Sequence, residues 1–175
     1  MRYADFRHLE TDRLILRQIR EEDAAIMFDY RNNEICARYQ RGQTKDLPGI
    51  QALIEKRRND ILGIEGNCLV AVALKCSDEM IGEIVVMPDD RCFSLGYTFS
   101  YRYHHKGYAI EALSALTDLL HGHYPDWEFV SFVEPENIPS KALLKKLGYE
   151  YLGYAEKLTS DAFGKWMYED LGLNK

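Results

Sequence analysis

Two stretches of this 175-residue chain gather residue types that could do chemistry together. The first is Tyr101-Arg102-Tyr103-His104-His105-Lys106-Gly107-Tyr108-Ala109-Ile110-Glu111-Ala112. An extended run enters a basic, glycine-containing loop that passes straight into a helical pattern. A helix start offers unpaired N–H groups and about half a positive charge, which favours a phosphate. Gly107 lets the backbone approach such a ligand with no Cβ in the way. His104, His105 and Lys106 add cationic side chains around the same point. The segment fits equally a tight strand-to-helix turn whose charges are simply solvated. The second stretch runs from Pro135 to Tyr149 and places Asn137 and Ser140 at the start of another helix. Asn137 serves as an ordinary cap; an Asn cap has no need of Ser140. If both helices follow neighbouring strands, their starts meet at one sheet edge, where ligands of open α/β sheets sit.

The elements that must position these stretches follow from periodicity. Leu14-Ile15-Leu16-Arg17-Gln18-Ile19 predicts an opening strand, and acids in the first turn predict a helix from about Glu22 to Asn32. A second helix fits Leu47 to Asn59, with Ile50, Leu53 and Ile54 on one stripe. Strands follow at Asn67–Lys75, Met80–Met87 and Arg91–Tyr101, joined by Ser77-Asp78-Glu79 and Pro88-Asp89-Asp90, which predicts an antiparallel meander. From Gly107 the period changes: Ala109, Ala112, Leu113, Leu116, Leu119 and Leu120 mark an amphipathic helix, with Gly122 expected to end it. Trp127–Val133 reads as a strand. Asn137 then caps a helix with Pro139 in its first turn and Gly148 as its stop. Tyr149–Tyr154 and Lys165–Glu169 are expected as closing strands. The predicted order β-α-α-β-β-β-α-β-α-β-β is a mixed α/β sheet carrying helices, and with no linker in sight the expectation is a single domain.

Composition narrows the function classes. At this length a domain buries roughly two-thirds of its unfolded surface. With 46% apolar and 29% charged residues the chain is ordinary globular material rather than a disordered one. The 28 acids outnumber 22 Lys and Arg, giving a net charge of −6, which argues against non-specific nucleic-acid binding. The longest apolar run, Cys68–Leu74, is far below the ~20 residues of a membrane span. The first residues show no apolar signal core, so the expectation is a cytoplasmic protein. Cys36, Cys68, Cys76 and Cys92 are irregularly spaced and read as buried free thiols. His121 and His123 read as a frayed helix end, and no metal is assigned. The charge is also uneven: residues 91–110 and 137–149 contain no Asp or Glu. Those windows cover the two chemical stretches, and an acidic remainder suits a cationic partner.

With both blocks in view, the sequence resembles the GNAT acetyltransferase superfamily, in particular its ribosomal-protein N-terminal acetyltransferase branch. The likeness spans roughly residues 9 to 170. It rests on Leu9-Glu10-Thr11-Asp12-Arg13-Leu14-Ile15-Leu16-Arg17, on Leu95 to Ala112, on Glu136 to Tyr149 and on the element order. Gly96-Tyr97, Gly107-Tyr108-Ala109, Glu111-Ala112, Glu136-Asn137, Ser140 and Leu147-Gly148-Tyr149 fall in register with the family pattern. The resemblance implies a central, mostly antiparallel sheet with two splayed parallel strands, ending near Tyr101 and Val133, flanked by about four helices. It implies acetyl-CoA as cosubstrate, with the pantetheine arm between those strands and the pyrophosphate on the backbone of His105, Lys106, Gly107, Tyr108, Ala109 and Ile110. Phe99 and Tyr101 would offer backbone groups to the pantetheine amides, Asn137 would bond the arm from the other side, and Ser140 would lie near the thioester sulfur. The sequence departs from the family at His104-His105, where Trp or Gln/Arg followed by Gly is commoner. An Arg common before the later strand is replaced by the Trp127-Glu128-Phe129 stretch.

The implied reaction is attack of a neutral amine on the thioester carbonyl. Backbone N–H groups around Tyr97–Phe99 would stabilise the oxyanion, and Ser140 would be the catalytic residue that protonates the departing thiolate. An α-amine is about one part in seven neutral at pH 7, a Lys side chain about one in 2,500, so a protein N-terminus needs the least help from a base. Glu83 and Glu156 are base candidates by location only, and Glu111 reads rather as an acid favouring its helix start. The tyrosines, Tyr97, Tyr101 and Tyr103 included, read mainly as sheet packing. The expected function is therefore N-acetyl transfer to a peptide N-terminus or a small amine, by a monomer or homodimer, with no nucleic acid, membrane or metal. The alternative is a CoA-binding sensor or interaction module that has lost transfer.

Overall fold

The structure, a computed structural model, describes residues 8–168. Strands β1 (His8–Glu10), β2 (Leu14–Gln18), β3 (Cys68–Leu74), β4 (Met80–Asp89), β5 (Cys92–Phe99), β6 (Glu128–Val133), β7 (Glu150–Ala155) and β8 (Ser160–Lys165) form one mixed sheet. Its order is β1-β2-β3-β4-β5-β6-β8-β7. Every neighbouring pair is antiparallel except β5 and β6. The helices are α1 (Ala24–Arg31), α2 (Glu34–Ala37), α3 (Leu47–Arg57), α4 (Tyr108–His123) and α5 (Ile138–Lys146). The expected mixed α/β architecture is what the chain adopts, with the one-turn α2 and the short β1 added.

Helices cover both faces of the sheet's centre. On one face the stripe Ala112, Leu113, Leu116 and Leu120 of α4 packs on Leu14, Val72, Val86, Phe93 and Phe129. On the other, Met27 and Tyr30 of α1 and Ile50 and Ile54 of α3 pack on Leu69 and Ala71. Burial from both sides explains why β3 reads as a continuous apolar run instead of an alternating one.

Local signals set several boundaries where expected. Asp46 caps α3 by accepting from Gly49 N. Gly148, at φ +85, ends α5 while Gly148 N bonds Lys145 O and Tyr149 N bonds Leu144 O, a Schellman closure. Other expectations fail. Gly122 does not stop α4: it lies in the last turn, which runs to His123 and closes through Tyr124 N on Leu120 O. His121 is not frayed either, because its ring stacks on Trp166 at 3.9 Å. The last strand is Ser160–Lys165 rather than Lys165–Glu169, and Glu169 lies outside the described residues. Trp166 turns the chain away at φ +54. Gly164 leaves room for Leu152 and Met167, since a Cβ there would stand 2.6 Å from Met167 Sδ. β5 stops at Phe99, and Tyr101 opens a 3₁₀ turn, Tyr101–Tyr103. Of the four free thiols only Cys36 and Cys68 are buried; Cys92 is partly covered, and Cys76 is exposed after β3. Among the described residues no helix is long and apolar enough to cross a membrane.

Candidate active site at the splayed strands

The parallel strands β5 and β6 pair at only three positions, Cys92 with Glu128, Phe93 with Phe129 and Ser94 with Val130. Beyond Ser94, β5 stays on β4 while β6 stays on β8, so a gap opens between them. Ser100 N bonds Ile81 O on the β4 side at 2.8 Å. Alternation along an antiparallel strand then turns the backbone groups of Phe99 and Tyr97 the opposite way, into the gap. Their carbonyls are met there by side chains. Gln40 Nε2 donates to Tyr97 O at 3.1 Å. Cys36 Sγ and His104 Nε2 donate to Phe99 O at 3.3 and 2.8 Å.

At the mouth of the gap, His105 and Gly107 both adopt left-handed backbone, at φ +60 and +79. These turns reverse the chain into α4, whose N-cap is Gly107 and which has no capping side chain. The N–H groups of Tyr108, Ala109 and Ile110, the first three of the helix, are therefore open to a ligand. His105 holds a conformation that glycine adopts at less cost, and its side chain, like that of Lys106, is exposed.

This turn is clasped from the far end of the sequence. Glu111 accepts from Thr11 Oγ1 at 2.6 Å, Arg13 N at 2.9 Å and Arg13 Nε at 2.7 Å. Arg13 Nη1 donates to Lys106 O at 2.9 Å, and its guanidinium lies 4.5 Å over the Tyr108 ring. Burial raises the Glu111 pKa, but the hydrogen bonds from Thr11 and Arg13 outweigh it and leave the carboxyl below its ordinary value. Glu111 thus does more than favour a helix start. The signal for this was present in Thr11-Asp12-Arg13, although nothing in the sequence placed those residues against α4.

On the other side of the gap, Asn137 caps α5: its side-chain oxygen accepts from Ser140 N at 3.2 Å. Its amide nitrogen is the group left for a ligand. Ser140 Oγ lies 2.7 Å from Tyr97 Oη of β5. Burial pushes the Tyr97 hydroxyl up, only partly opposed by the Ser140 bond, so it stays protonated near neutrality. Tyr97, read from sequence as packing, is thereby joined to the site. The ring of Tyr101 packs toward the core under α1 and α3.

The segment between α2 and α3 straps across the open strands. Tyr39 Oη donates to Glu136 O at 3.0 Å, and Arg41 pairs with Glu134 and reaches Leu158 O. Gln43 Nε2 reaches Glu83 Oε1 at 3.1 Å and Thr98 Oγ1 at 2.9 Å. Glu83 is 1% exposed, and Arg31 holds both of its oxygens, at 3.0 and 2.7 Å. Burial raises the Glu83 pKa against the pull of Arg31. Its carboxylate is committed to that pair and does not stand free as a base. Glu156 sits in the exposed 3₁₀ turn Glu156–Leu158. No cluster of three or more potential metal ligands occurs among the described residues.

A gap between parallel strands, with an uncapped glycine-turned helix start at its mouth, can hold an elongated ligand that carries a phosphate. Residues 13–150 match the acetyltransferase (GNAT) domain model. The chain is 26% identical over 152 residues to the uncharacterized N-acetyltransferase YnaD of Bacillus subtilis (strain 168), covering 86% of each. Its fold is similar to a putative ribosomal-protein-serine acetyltransferase from Vibrio cholerae, with TM-score 0.77, 21% identity, and 94% of this chain and 99% of that one covered. It is also similar to Mycobacterium smegmatis RimJ in complex with CoA-disulfide, with TM-score 0.73, 18% identity, and 91% and 84% covered. The chain belongs to the acetyltransferase (GNAT) family, and so to the acetyl-CoA-dependent acyltransferases.

Proposed function

We propose that this protein transfers the acetyl group of acetyl-CoA to a primary amine, a peptide or protein N-terminus or a small amine, by direct attack, as a single cytoplasmic domain. The observation that carries the reading is the three-pair splay of β5 and β6, with the uncapped α4 start on one side of its mouth and Ser140 on the other. When bound, acetyl-CoA supplies an activated acyl carbon. The N–H groups of Tyr108, Ala109 and Ile110 and the basic His105-Lys106 turn hold its pyrophosphate. The carbonyl of Tyr97 faces its arm with a second lone pair beside Gln40, whereas the carbonyl of Phe99 already accepts from both Cys36 and His104. Ser140 serves as the donor to the departing thiolate, a fair leaving group that needs modest help because a thiol has pKa ~8.5. With Glu83 locked to Arg31, an acceptor that already arrives partly neutral is favoured, which points to an α-amine over an ε-amine.

The test is CoA release from acetyl-CoA in the presence of a panel of peptides, polyamines and amino sugars, with the acetylated product identified by mass spectrometry. Release that depends on an amine is the expected result. Tight acetyl-CoA binding without amine-dependent release across the panel would replace transfer with a CoA-binding module.

A further inference from the structure

We propose that Tyr97 is a positioning residue for Ser140: its hydroxyl donates to Ser140 Oγ and so aims the serine proton at the sulfur of the departing thiolate. The inference rests on the acetyl-CoA reading above. Tyr97 projects from β5, and Ser140 is the third residue of α5, which follows β6. Their 2.7 Å hydrogen bond therefore spans the opening between the splayed strands.

Either oxygen could donate, and the surroundings decide which does. The Tyr97 side chain packs with the apolar core under α4 and α5, and among the described residues Ser140 is the hydrogen-bond partner of its hydroxyl. If Ser140 donated, the half-buried tyrosine hydroxyl would be left with no side-chain or backbone acceptor of its own among the described residues, which is costly. If Tyr97 donates, both requirements are met: the phenol is satisfied, and the Ser140 proton is free for a group in the gap. Donation then polarises the serine hydroxyl and strengthens its own donation onward. Tyr97 does not give up its proton. Burial holds it in the neutral form, and Tyr149, its titratable neighbour, is likewise pushed up by burial.

In the step itself the amine nitrogen bonds to the carbonyl carbon and the carbon–sulfur bond breaks, with its electron pair settling on sulfur. The nitrogen loses one proton to solvent, and the thiolate, held by the Ser140 hydrogen bond, takes one from solvent on release. Both hydroxyls keep their protons.

The experiment needs no acceptor amine. CoA is bound to the protein, and its thiol is titrated by the ultraviolet absorbance of the thiolate, for wild type, Tyr97→Phe and Ser140→Ala. One neutral hydrogen bond changes an acid constant about 3- to 10-fold, so the bound thiol is expected to titrate about one pH unit below free CoA. Ser140→Ala should return it to the free value, and Tyr97→Phe, which keeps the ring and its packing, should return it about half-way. A Tyr97→Phe protein that titrates like wild type, while Ser140→Ala shifts, overturns the positioning role. Three identical titrations, with amine-dependent release intact in the wild type, overturn it while leaving the proposed function standing. Failure of CoA to bind the wild type removes the site reading and this inference with it.

Discussion

Replacing Gly107 with alanine separates a binding role of the α4 start from a merely structural one. Gly107 stands at φ +79, where an L side chain costs about 1–2 kcal/mol. A Cβ there would lie 3.3 Å from Arg13 Nη2, the far end of a flexible side chain that can give way, so backbone strain dominates the folding cost. For a chain of this size that corresponds to a fall in Tm of about 2–8 °C. Gly148 is the matched comparison. It sits at φ +85, a Cβ there would meet only Lys165 Cε at 3.6 Å, and it lies at the opposite end of α5 from Ser140. Gly148→Ala should therefore cost similar stability. Only Gly107→Ala also sets a carbon in front of the Tyr108–Ile110 N–H groups. Losing one charge-assisted bond to a phosphate is worth about 1.5–3 kcal/mol, or about 10- to 150-fold in Kd. Calorimetric titration with CoA and thermal unfolding of the two variants supply both numbers. Equal CoA affinity in Gly107→Ala and wild type, with the Tm lowered as in Gly148→Ala, would refute the phosphate site.

Other expectations are independent of that one. Glu111→Gln should loosen the clasp and weaken CoA binding about 3- to 10-fold at neutral pH. Because the folded-state pKa of Glu111 is depressed, its contribution is complete above the unfolded value of ~4.3 and fades as pH falls through the folded one. The Tm gap between wild type and Glu111→Gln should therefore close on acidification, and a gap that widens contradicts the assignment. Ser140→Ala should lower kcat about 10-fold, the effect of losing one hydrogen bond to the departing thiolate, with acetyl-CoA KM unchanged. An unchanged kcat with intact acetyl-CoA binding rules that role out. Glu83→Gln leaves Arg31 buried and unpaired, for a loss of about 3–5 kcal/mol and a Tm fall of about 6–20 °C. A stable Glu83→Gln protein with abolished turnover would instead make Glu83 the base.

Much of the architecture was legible because it is written in local backbone chemistry. The Asn137 cap, the Gly148 stop and the strand-to-helix passage at Gly107 each depend on a few adjacent residues and their permitted φ and ψ. The errors fall where distant packing overrides a local signal. Gly122 carries a stop signal that α4 ignores, because the helix continues until His121 has stacked on Trp166, residues that only the fold brings together. Ser160–Lys165 has little strand character of its own, yet it pairs on both sides because it is inserted between β6 and β7.

By itself the sequence determined most of the element order, the family and the two segments that frame the proposed site. Tertiary structure alone decided how those segments are held and joined. The splay ends after three residue pairs, a matter of where β6 leaves β5 for β8. Glu111 meets Arg13 across 98 residues, and Tyr97 meets Ser140 across 43. Arg31 claims Glu83 from a helix on the opposite side of the sheet from α4. Periodicity and capping describe the energy of a residue among its chain neighbours. These pairings are fixed by burial and hydrogen bonding between residues that become neighbours only when the sheet closes over its cores, so no local pattern encodes them.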